Sequence, residues 1–238
     1  MSDLPAFRFA IACVIALPLS LFSAPENTRK SAKQKRPQPA FAKVIDKPNL
    51  PRVLLIGDSI SMGYTADVRK LMEGKANVHR PPTNCGPTTK GLVEIDQWLG
   101  EGKWDVIHFN WGLHDLKYMS AKGGLADVKS GKQQVEIGQY ERNLDQLVVR
   151  LKKTGARLIW RNTTPVPPGA KGRVVGDAKR YNDVALKVMK KHQVAVQDMH
   201  AFVLPRMKEL MRTANVHFTP EGSRKLAETV VGEVDKAL

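Results

Sequence analysis

Ser59 lies at a position where a serine side chain can act as a nucleophile. It follows the apolar run 53–56 through Gly57 and stands at the entrance of a predicted helix. The first N–H groups of a helix have no intrahelical acceptor, so the Ser59 amide is free to bind a developing negative charge. Serine is also a common helix cap, and residues 57–61 lack the second glycine of a Gly-x-Ser-x-Gly elbow. The assignment as a nucleophile therefore depends on partner residues.

Candidate partners occur in three other segments of the chain. Residues 84–87 read Asn-Cys-Gly-Pro, residues 110–115 read Asn-Trp-Gly-Leu-His-Asp, and His217 stands shortly before the last predicted helix. Like Ser59, the first two segments follow short apolar runs. We therefore expect them at the carboxyl ends of strands, where open α/β sheets bind their ligands.

Short apolar runs alternate with amphipathic stretches from Val53 to the C-terminus, a pattern typical of parallel strands joined by crossover helices. Strands are predicted over 53–56, 77–79, 105–109, 157–160 and 195–197. Helices are predicted over 63–73, 92–99, 139–153, 177–192 and 220–237. The expected fold is a doubly wound, three-layer α/β/α sandwich with a five-stranded parallel sheet.

The segments resemble the conserved blocks of the SGNH (GDSL-type) hydrolases, in order and across nearly the whole of 53–238. Residues 57–61, Gly-Asp-Ser-Ile-Ser, are similar to block I, in which the serine is the nucleophile. The resemblance implies that Ser59 is the nucleophile, that the amides of Ser59 and Gly86 form part of an oxyanion hole, and that the fold is flavodoxin-like.

The third block departs from the family pattern. It normally reads Gly-x-Asn-Asp and supplies an Asn side chain to the oxyanion hole, whereas residues 112–115 here read Gly-Leu-His-Asp. An imidazole N–H of His114 can replace that donor if its tautomer is held, by Asp115 or by a backbone carbonyl. Asn110 is the fallback donor, and a purely structural role for His114 is the alternative.

The last block also departs from the pattern. Residues 216–222, Val-His-Phe-Thr-Pro-Glu-Gly, resemble the family segment that carries the general base, which implies that role for His217. The usual Asp three residues earlier is Ala214. Asn215, a backbone carbonyl or Asp198 are the candidates for orienting the imidazole; a Ser-His dyad without an orienting residue, or an inactive family member, are the alternatives.

The resemblance implies a serine esterase that needs no metal or organic cofactor. His108, His114 and Asp115 do not have the spacing of a zinc site. A carbohydrate O-acetylesterase is favoured because polar residues fall on strand-end loops and Trp111 could stack on a sugar ring. Those polar residues are Asn84, Thr88, Thr89, Asn110, His114 and Asn162. The alternatives are a lysophospholipase or thioesterase, or a catalytically dead envelope module that binds anionic polymer.

The N-terminal region is predicted to direct export. Arg8 precedes the mainly apolar run 9–22, and small residues follow, so residues 1–24 read as a signal peptide, with an uncleaved membrane anchor as the alternative. Either way the catalytic domain is expected outside the cytoplasm, secreted or periplasmic.

A basic linker is predicted between the signal segment and the domain. Residues 25–52 contain eight Lys and Arg against two acids, a net +6 of the chain's formal +15, and lack an apolar period. Because this linker holds much of the charge, a nucleic-acid partner is not expected. An ester substrate is the expected partner, with a stable membrane partner only if the N-terminal segment is uncleaved, and the oligomeric state is left open. The Lys- and Gly-rich stretch 116–137 is interpreted as a lid or substrate-gripping loop, or as solvated decoration.

Overall fold

A computed structural model describes residues 38–238. Within this range, five parallel strands form one sheet in the order β2-β1-β3-β6-β7. The strands of the sheet are β1 (Arg52–Ile56), β2 (Asn77–His79), β3 (Val106–Phe109), β6 (Arg157–Arg161) and β7 (Ala195–Gln197). This is the flavodoxin-like order, and the predicted five-stranded parallel sheet is confirmed.

Helices cover both faces of the sheet. The long helices are α1 (Ser59–Leu71), α2 (Thr88–Leu99), α3 (Ile137–Lys152), α4 (Asp177–His192) and α7 (Pro220–Ala237). Helix α1 packs on α7, while α3 lies between α2 and α4. The side chains of residues 53–56 of β1 are all buried, as expected for a strand covered on both faces.

The structure adds short elements that the sequence pattern did not indicate. In the stretch 116–137, β4 (Tyr118–Met119) and β5 (Lys132–Gln133) pair antiparallel. Between β7 and α7 lie two short helices, α5 (Met199–Val203) and α6 (Met207–Leu210). Helices α1 and α2 each begin four residues before the predicted start, because their first turns carry the polar loop residues themselves.

Residues 38–51 correct the prediction of a disordered linker over 25–52. They pack along α1 and β2, where the side chain of Asn77 accepts from the N–H of Lys47 (2.9 Å) and donates to its carbonyl (3.0 Å). Asp46 accepts hydrogen bonds from the side chains of Arg52 and His79. Contacts between distant positions hold this segment, so its basic composition alone did not reveal them.

The remaining N-terminal predictions, a signal peptide or anchor over 1–24 and disorder over 25–37, fall outside the described residues. Among residues 38–238, no helix combines the length and apolar character needed to cross a membrane.

Candidate active site

Ser59 is the first residue of α1 and is reached from β1 through Gly57 and Asp58. Asp58 is the helix N-cap, because its Oδ1 accepts from the N–H of Ile60 at 2.9 Å. A Cβ added at Gly57 would lie 2.9 Å from Oγ of Ser61, so the turn requires glycine. Since Asp58 caps the helix, the hydroxyl of Ser59 is left for another partner.

That partner is His217. The hydroxyl Oγ of Ser59 lies 2.9 Å from Nε2 of His217, although the two residues are 158 positions apart in the chain. Both side chains are half-buried. The structure therefore brings the predicted nucleophile and the predicted base into direct hydrogen-bonding contact.

Asn215 determines which ring nitrogen of His217 carries the proton. Its Oδ1 accepts from the backbone N–H of His217 at 3.0 Å and lies 2.8 Å from Nδ1 of the same residue. A backbone N–H can only donate, so the amide oxygen, and not the amide nitrogen, must face the ring. Nδ1 is then the protonated nitrogen, and Nε2 is free to accept the Ser59 proton.

Asp198, the other proposed orienting residue, does not contact His217. Its Oδ1 accepts from Nδ2 of Asn162 (2.6 Å) and from the N–H of Ala201 (2.9 Å), and so caps α5. The assignment of Asp198 as an orienting residue is wrong. An Asn two residues before a His can form a local Asx turn, and this is the signal that favours Asn215 from sequence.

The pKa of the His217 imidazole is lowered from its ordinary value. Burial is the main cause; the positive charges of Arg212 and Arg173 lower the pKa of His217 further, and the negative charge of Asp58 raises it. His217 is therefore neutral at neutral pH, the state in which it can accept a proton.

The loop that carries His217 is fastened to α6 and α7. Arg212 N–H donates to the carbonyl of His217 at 2.9 Å, and Thr219 N–H donates to the carbonyl of Leu210 at 2.9 Å. Thr219 also caps α7 through the N–H of Gly222. A Cβ at Gly222 would lie 2.1 Å from the Leu210 carbonyl oxygen, so glycine is required at this position of the loop.

His114 lies in the same site with the opposite tautomer. The ammonium of Lys117 is 3.2 Å from Nδ1 of His114. Because an ammonium only donates, Nδ1 must be the acceptor and Nε2 must carry the hydrogen. Burial, together with the charges of Lys117 and Arg173 and against that of Asp58, lowers the pKa of His114 to about 4. The ring is therefore a neutral N–H donor.

Asp115 does not hold His114, contrary to one of the sequence-based options. It is fully buried, and its Oδ1 accepts from the N–H (2.8 Å) and the hydroxyl (2.5 Å) of Thr88 at the start of α2. Burial raises the pKa of Asp115 to about 7. The residue ties the loop containing His114 to the loop containing Gly86.

The two remaining oxyanion candidates are engaged elsewhere. Nδ2 of Asn110 donates to the carbonyl of Arg161 at 2.7 Å and is buried, so it joins β3 to β6 and cannot serve as the fallback donor. The N–H of Gly86, a residue with φ of 61°, donates to Oδ1 of Asn84 at 3.0 Å. In the structure this N–H is therefore occupied by the Asn84 side chain. The sequence did not indicate this role of Asn84.

A cavity of about 470 Å³ opens beside His217. Its walls are residues 169–171, Arg173, residues 214–217 and, from the 116–137 stretch, Leu125. That stretch therefore contributes to a wall of the site. Trp111, in contrast, is 1% exposed, which excludes the predicted stacking of this residue on a sugar.

Within the described residues no three His, Cys, Asp or Glu side chains are grouped as a metal site. His108, the histidine of β3, is buried and its Nε2 lies 2.7 Å from Oε1 of Gln197.

The domain that contains this arrangement matches a known protein family. Residues 55–225 match the GDSL-like lipase/acylhydrolase family. The chain belongs to this family. Membership supports an ester hydrolase, and the matched range includes both Ser59 and His217 of the GDSL-type domain.

Solved structures of SGNH-type hydrolases share the fold at low sequence identity. A lipase/acylhydrolase from Enterococcus faecalis is 18% identical with a TM-score of 0.66, covering 79% of this chain and 96% of its own. An acetylxylan esterase from Geobacillus stearothermophilus is 18% identical with a TM-score of 0.64, covering 77% and 94%. No curated protein matches the chain.

Proposed function

We propose that this GDSL-type hydrolase is a serine esterase with Ser59 as nucleophile and His217 as general base. The observation that carries the proposal is the chain of contacts from Ser59 Oγ to His217 Nε2 (2.9 Å) and from His217 Nδ1 to Asn215 Oδ1 (2.8 Å). Each of these three residues is in the protonation state that its role requires. This disfavours two alternatives: a Ser-His dyad without an orienting residue, and a catalytically inactive protein.

The reaction follows from these positions. Ser59 Oγ attacks the ester carbonyl while Nε2 of His217 takes its proton, and the imidazolium then gives that proton to the departing alcohol. Water, deprotonated by the same nitrogen, attacks the acyl-enzyme; the bond from the acyl carbon to Ser59 Oγ breaks, Oγ takes the proton back from the imidazolium, and the acid is released. The N–H of Ser59, Nε2–H of His114 and, once Asn84 has turned, the N–H of Gly86 stabilise the oxyanion in both steps.

Within the esterases, we propose short acyl esters of carbohydrates, with acetyl esters first. Acetylxylan esterases are among the structures that share the fold. The cavity beside His217 combines small and apolar walls with the polar side chains of Lys171, Arg173 and Asn215. A lysophospholipase or thioesterase is the second candidate, because its ester would use the same residues. Rates with p-nitrophenyl acetate, butyrate and decanoate separate the two: rates that rise with acyl length would contradict the carbohydrate assignment.

A fluorophosphonate probe tests the nucleophile directly. The wild-type protein is expected to be labelled, Ser59→Ala to be unlabelled and inactive on p-nitrophenyl acetate, and Ser130→Ala, which removes an exposed serine of the 116–137 stretch, to behave as wild type. An unlabelled wild-type protein would instead favour the binding module, and turnover by Ser59→Ala would remove Ser59 from the mechanism.

Export also remains a proposal, supported by Arg8 and the apolar run that follows it. We expect a mature protein beginning near residue 24 or 25 outside the cytoplasm. Recovery of an uncleaved chain in the membrane fraction would support the anchor instead.

A further inference from the structure

The cavity beside His217 carries two basic residues in an otherwise uncharged lining. Lys171 and Arg173 are among its walls, and no Asp or Glu is. Ala214, which occupies the position of the family's usual acid, also lines this cavity, and its Cβ lies against Gly169. A carboxylate at residue 214 would partly neutralise the two basic residues. Lys171 and Arg173 are therefore the charged residues that give this cavity its sign.

Arg173 is held in place by backbone carbonyl groups. Its Nε and Nη2 donate to the carbonyl of Leu113 at 3.3 and 3.2 Å, and Nη1 donates to the carbonyl of Lys171 at 3.4 Å. A guanidinium has five N–H donors, so two remain for a ligand. Because the head group is already fixed, little side-chain entropy is lost when an anion binds.

Within residues 38–238, neither Arg173 nor Lys171 lies within ion-pair distance of a carboxylate, whereas many surface cations, such as Lys179 with Asp183, do. The two acids near Ser59 and His114 do not line the cavity: Asp58 caps α1 and Asp115 binds Thr88, and both are buried. Asp58 acts on Arg173 only through its charge, without an ion-pair contact. A concave site lined by one sign of charge attracts ligands of the opposite sign.

We propose that this cavity binds a carboxylate group on the sugar that bears the ester, so that the substrates are O-acetylated acidic sugars such as uronic acid residues. The inference rests on the proposed esterase function. A guanidinium presents paired N–H donors that match a carboxylate. The cavity adjoins the histidine that protonates the leaving alcohol, so the carboxylate belongs to the alcohol side of the ester. Its volume of about 470 Å³ is in the range of small-molecule sites.

Two substrates that differ only in charge test the proposal. These are an O-acetylated methyl glucuronoside and its uncharged carboxamide. We expect wild-type kcat/KM to be about 10- to 100-fold higher for the acid, the size of a charge-assisted hydrogen bond, and the preference to weaken at high salt. Equal values for the two substrates, with hydrolysis intact, would overturn the inference and leave the esterase standing.

Amino-acid substitutions test whether the preference for the acid over the carboxamide arises in this cavity. Arg173→Gln and Lys171→Gln should each reduce the ratio of acid to carboxamide, Arg173→Gln to near one. Ala214→Asp should also reduce it by placing a carboxylate in the cavity; with φ of 50° at this residue, Asp is better accommodated than Ala. Lys187→Gln is the charge-matched control: this exposed lysine of α4 should leave the ratio unchanged. If Lys187→Gln lowers the ratio as much as Arg173→Gln does, the preference reflects overall charge and the cavity assignment is wrong.

A binding measurement separates this inference from the esterase proposal. Calorimetric titration of Ser59→Ala with the two acetylated sugars requires no turnover. Tighter binding of the acid, abolished by adding Arg173→Gln, would support the carboxylate site even if no ester were hydrolysed. Equal affinities for the two sugars would contradict it.

Discussion

His217 and His114 lie in one site, yet their neighbours leave opposite ring nitrogens protonated. At His217, Asn215 Oδ1 accepts from Nδ1, so Nε2 is an acceptor. At His114, Lys117 Nζ donates to Nδ1, so Nε2 is a donor. The same side chain thus presents an acceptor Nε2 at one position and a donor Nε2–H at the other, as the proposed roles of base and oxyanion donor require. The chemistry of each ring is set by whether its neighbour donates or accepts.

The tautomers of the two rings also differ in how rigidly the neighbouring side chain is held. The Asn215 oxygen is held by two donors of one residue, the backbone N–H and Nδ1 of His217, within a two-residue turn. Lys117 reaches His114 with a long, flexible side chain at 3.2 Å. We therefore expect the base to be more sensitive than the donor to loss of its neighbour.

Removing the base should have the largest effect. His217→Ala is expected to lower kcat for p-nitrophenyl acetate by about 10⁴-fold or more, because the nucleophile and base act as a unit. Circular dichroism should show an unchanged fold. A variant that keeps more than about a tenth of wild-type turnover would place the base elsewhere.

Removing the donor should cost less. His114→Ala is expected to lower kcat by about 100- to 1000-fold with a small change in KM, as for loss of one oxyanion donor. His114→Asn supplies the amide N–H found at this block in the family and should recover most of the lost rate. If His114→Ala has the wild-type kcat, the backbone amides of Ser59 and Gly86 are enough to stabilise the oxyanion, and His114 is not a donor to it.

Changing the neighbour of the base should have a smaller effect and shift the pH profile. Asn215→Ala is expected to lower kcat/KM by about 10- to 100-fold, less than the roughly 10⁴-fold loss when a charged triad acid is removed. Activity requires neutral His217, so it falls as pH falls through the histidine pKa, which burial places below the ordinary value.

Asn215→Asp is the matched variant. Its carboxylate favours the imidazolium, raises the pKa of His217 and should move the acid limb of the kcat/KM profile to higher pH. An unmoved limb would show that residue 215 does not act on the base.

Changing the neighbour of the donor should have the smallest effect. Lys117→Met is expected to lower kcat by about 2- to 10-fold, corresponding to one ordinary hydrogen bond. Nitrogen NMR should show His114 losing its uniform Nε2–H tautomer, while Lys122→Met, in the same stretch, leaves the spectrum unchanged. A His114 spectrum unaffected by Lys117→Met would assign its tautomer to another group.

The sequence predicted the sheet and the Ser59–His217 pair because both leave local patterns. Apolar runs gave the strands to within a residue or two, the polar segment after the first strand contains Ser59, and the resemblance of residues 216–222 to a family block indicated His217. The neighbours of the two rings were less well predicted. Asn215 was one of several candidates for orienting His217, and Lys117 was not named as the neighbour of His114, because that choice requires the direction of each side chain. The ordered segment 38–51 was missed for a similar reason, since its partners Asn77 and His79 lie in a strand about 30 positions later.

The 158 positions between Ser59 and His217 also bear on how the protein acquires activity. His217 lies directly before α7, and α7 packs on α1, the helix whose first residue is Ser59. Until α7 docks, His217 is not held beside Ser59. Docking of α7 closes the longest-range contact of the site. The chain loses loop-closure entropy in this step before the contacts that it forms can stabilise the fold. With Ser59 and His217 in their proposed roles, recovery of ester hydrolysis on refolding should coincide with the docking of α7.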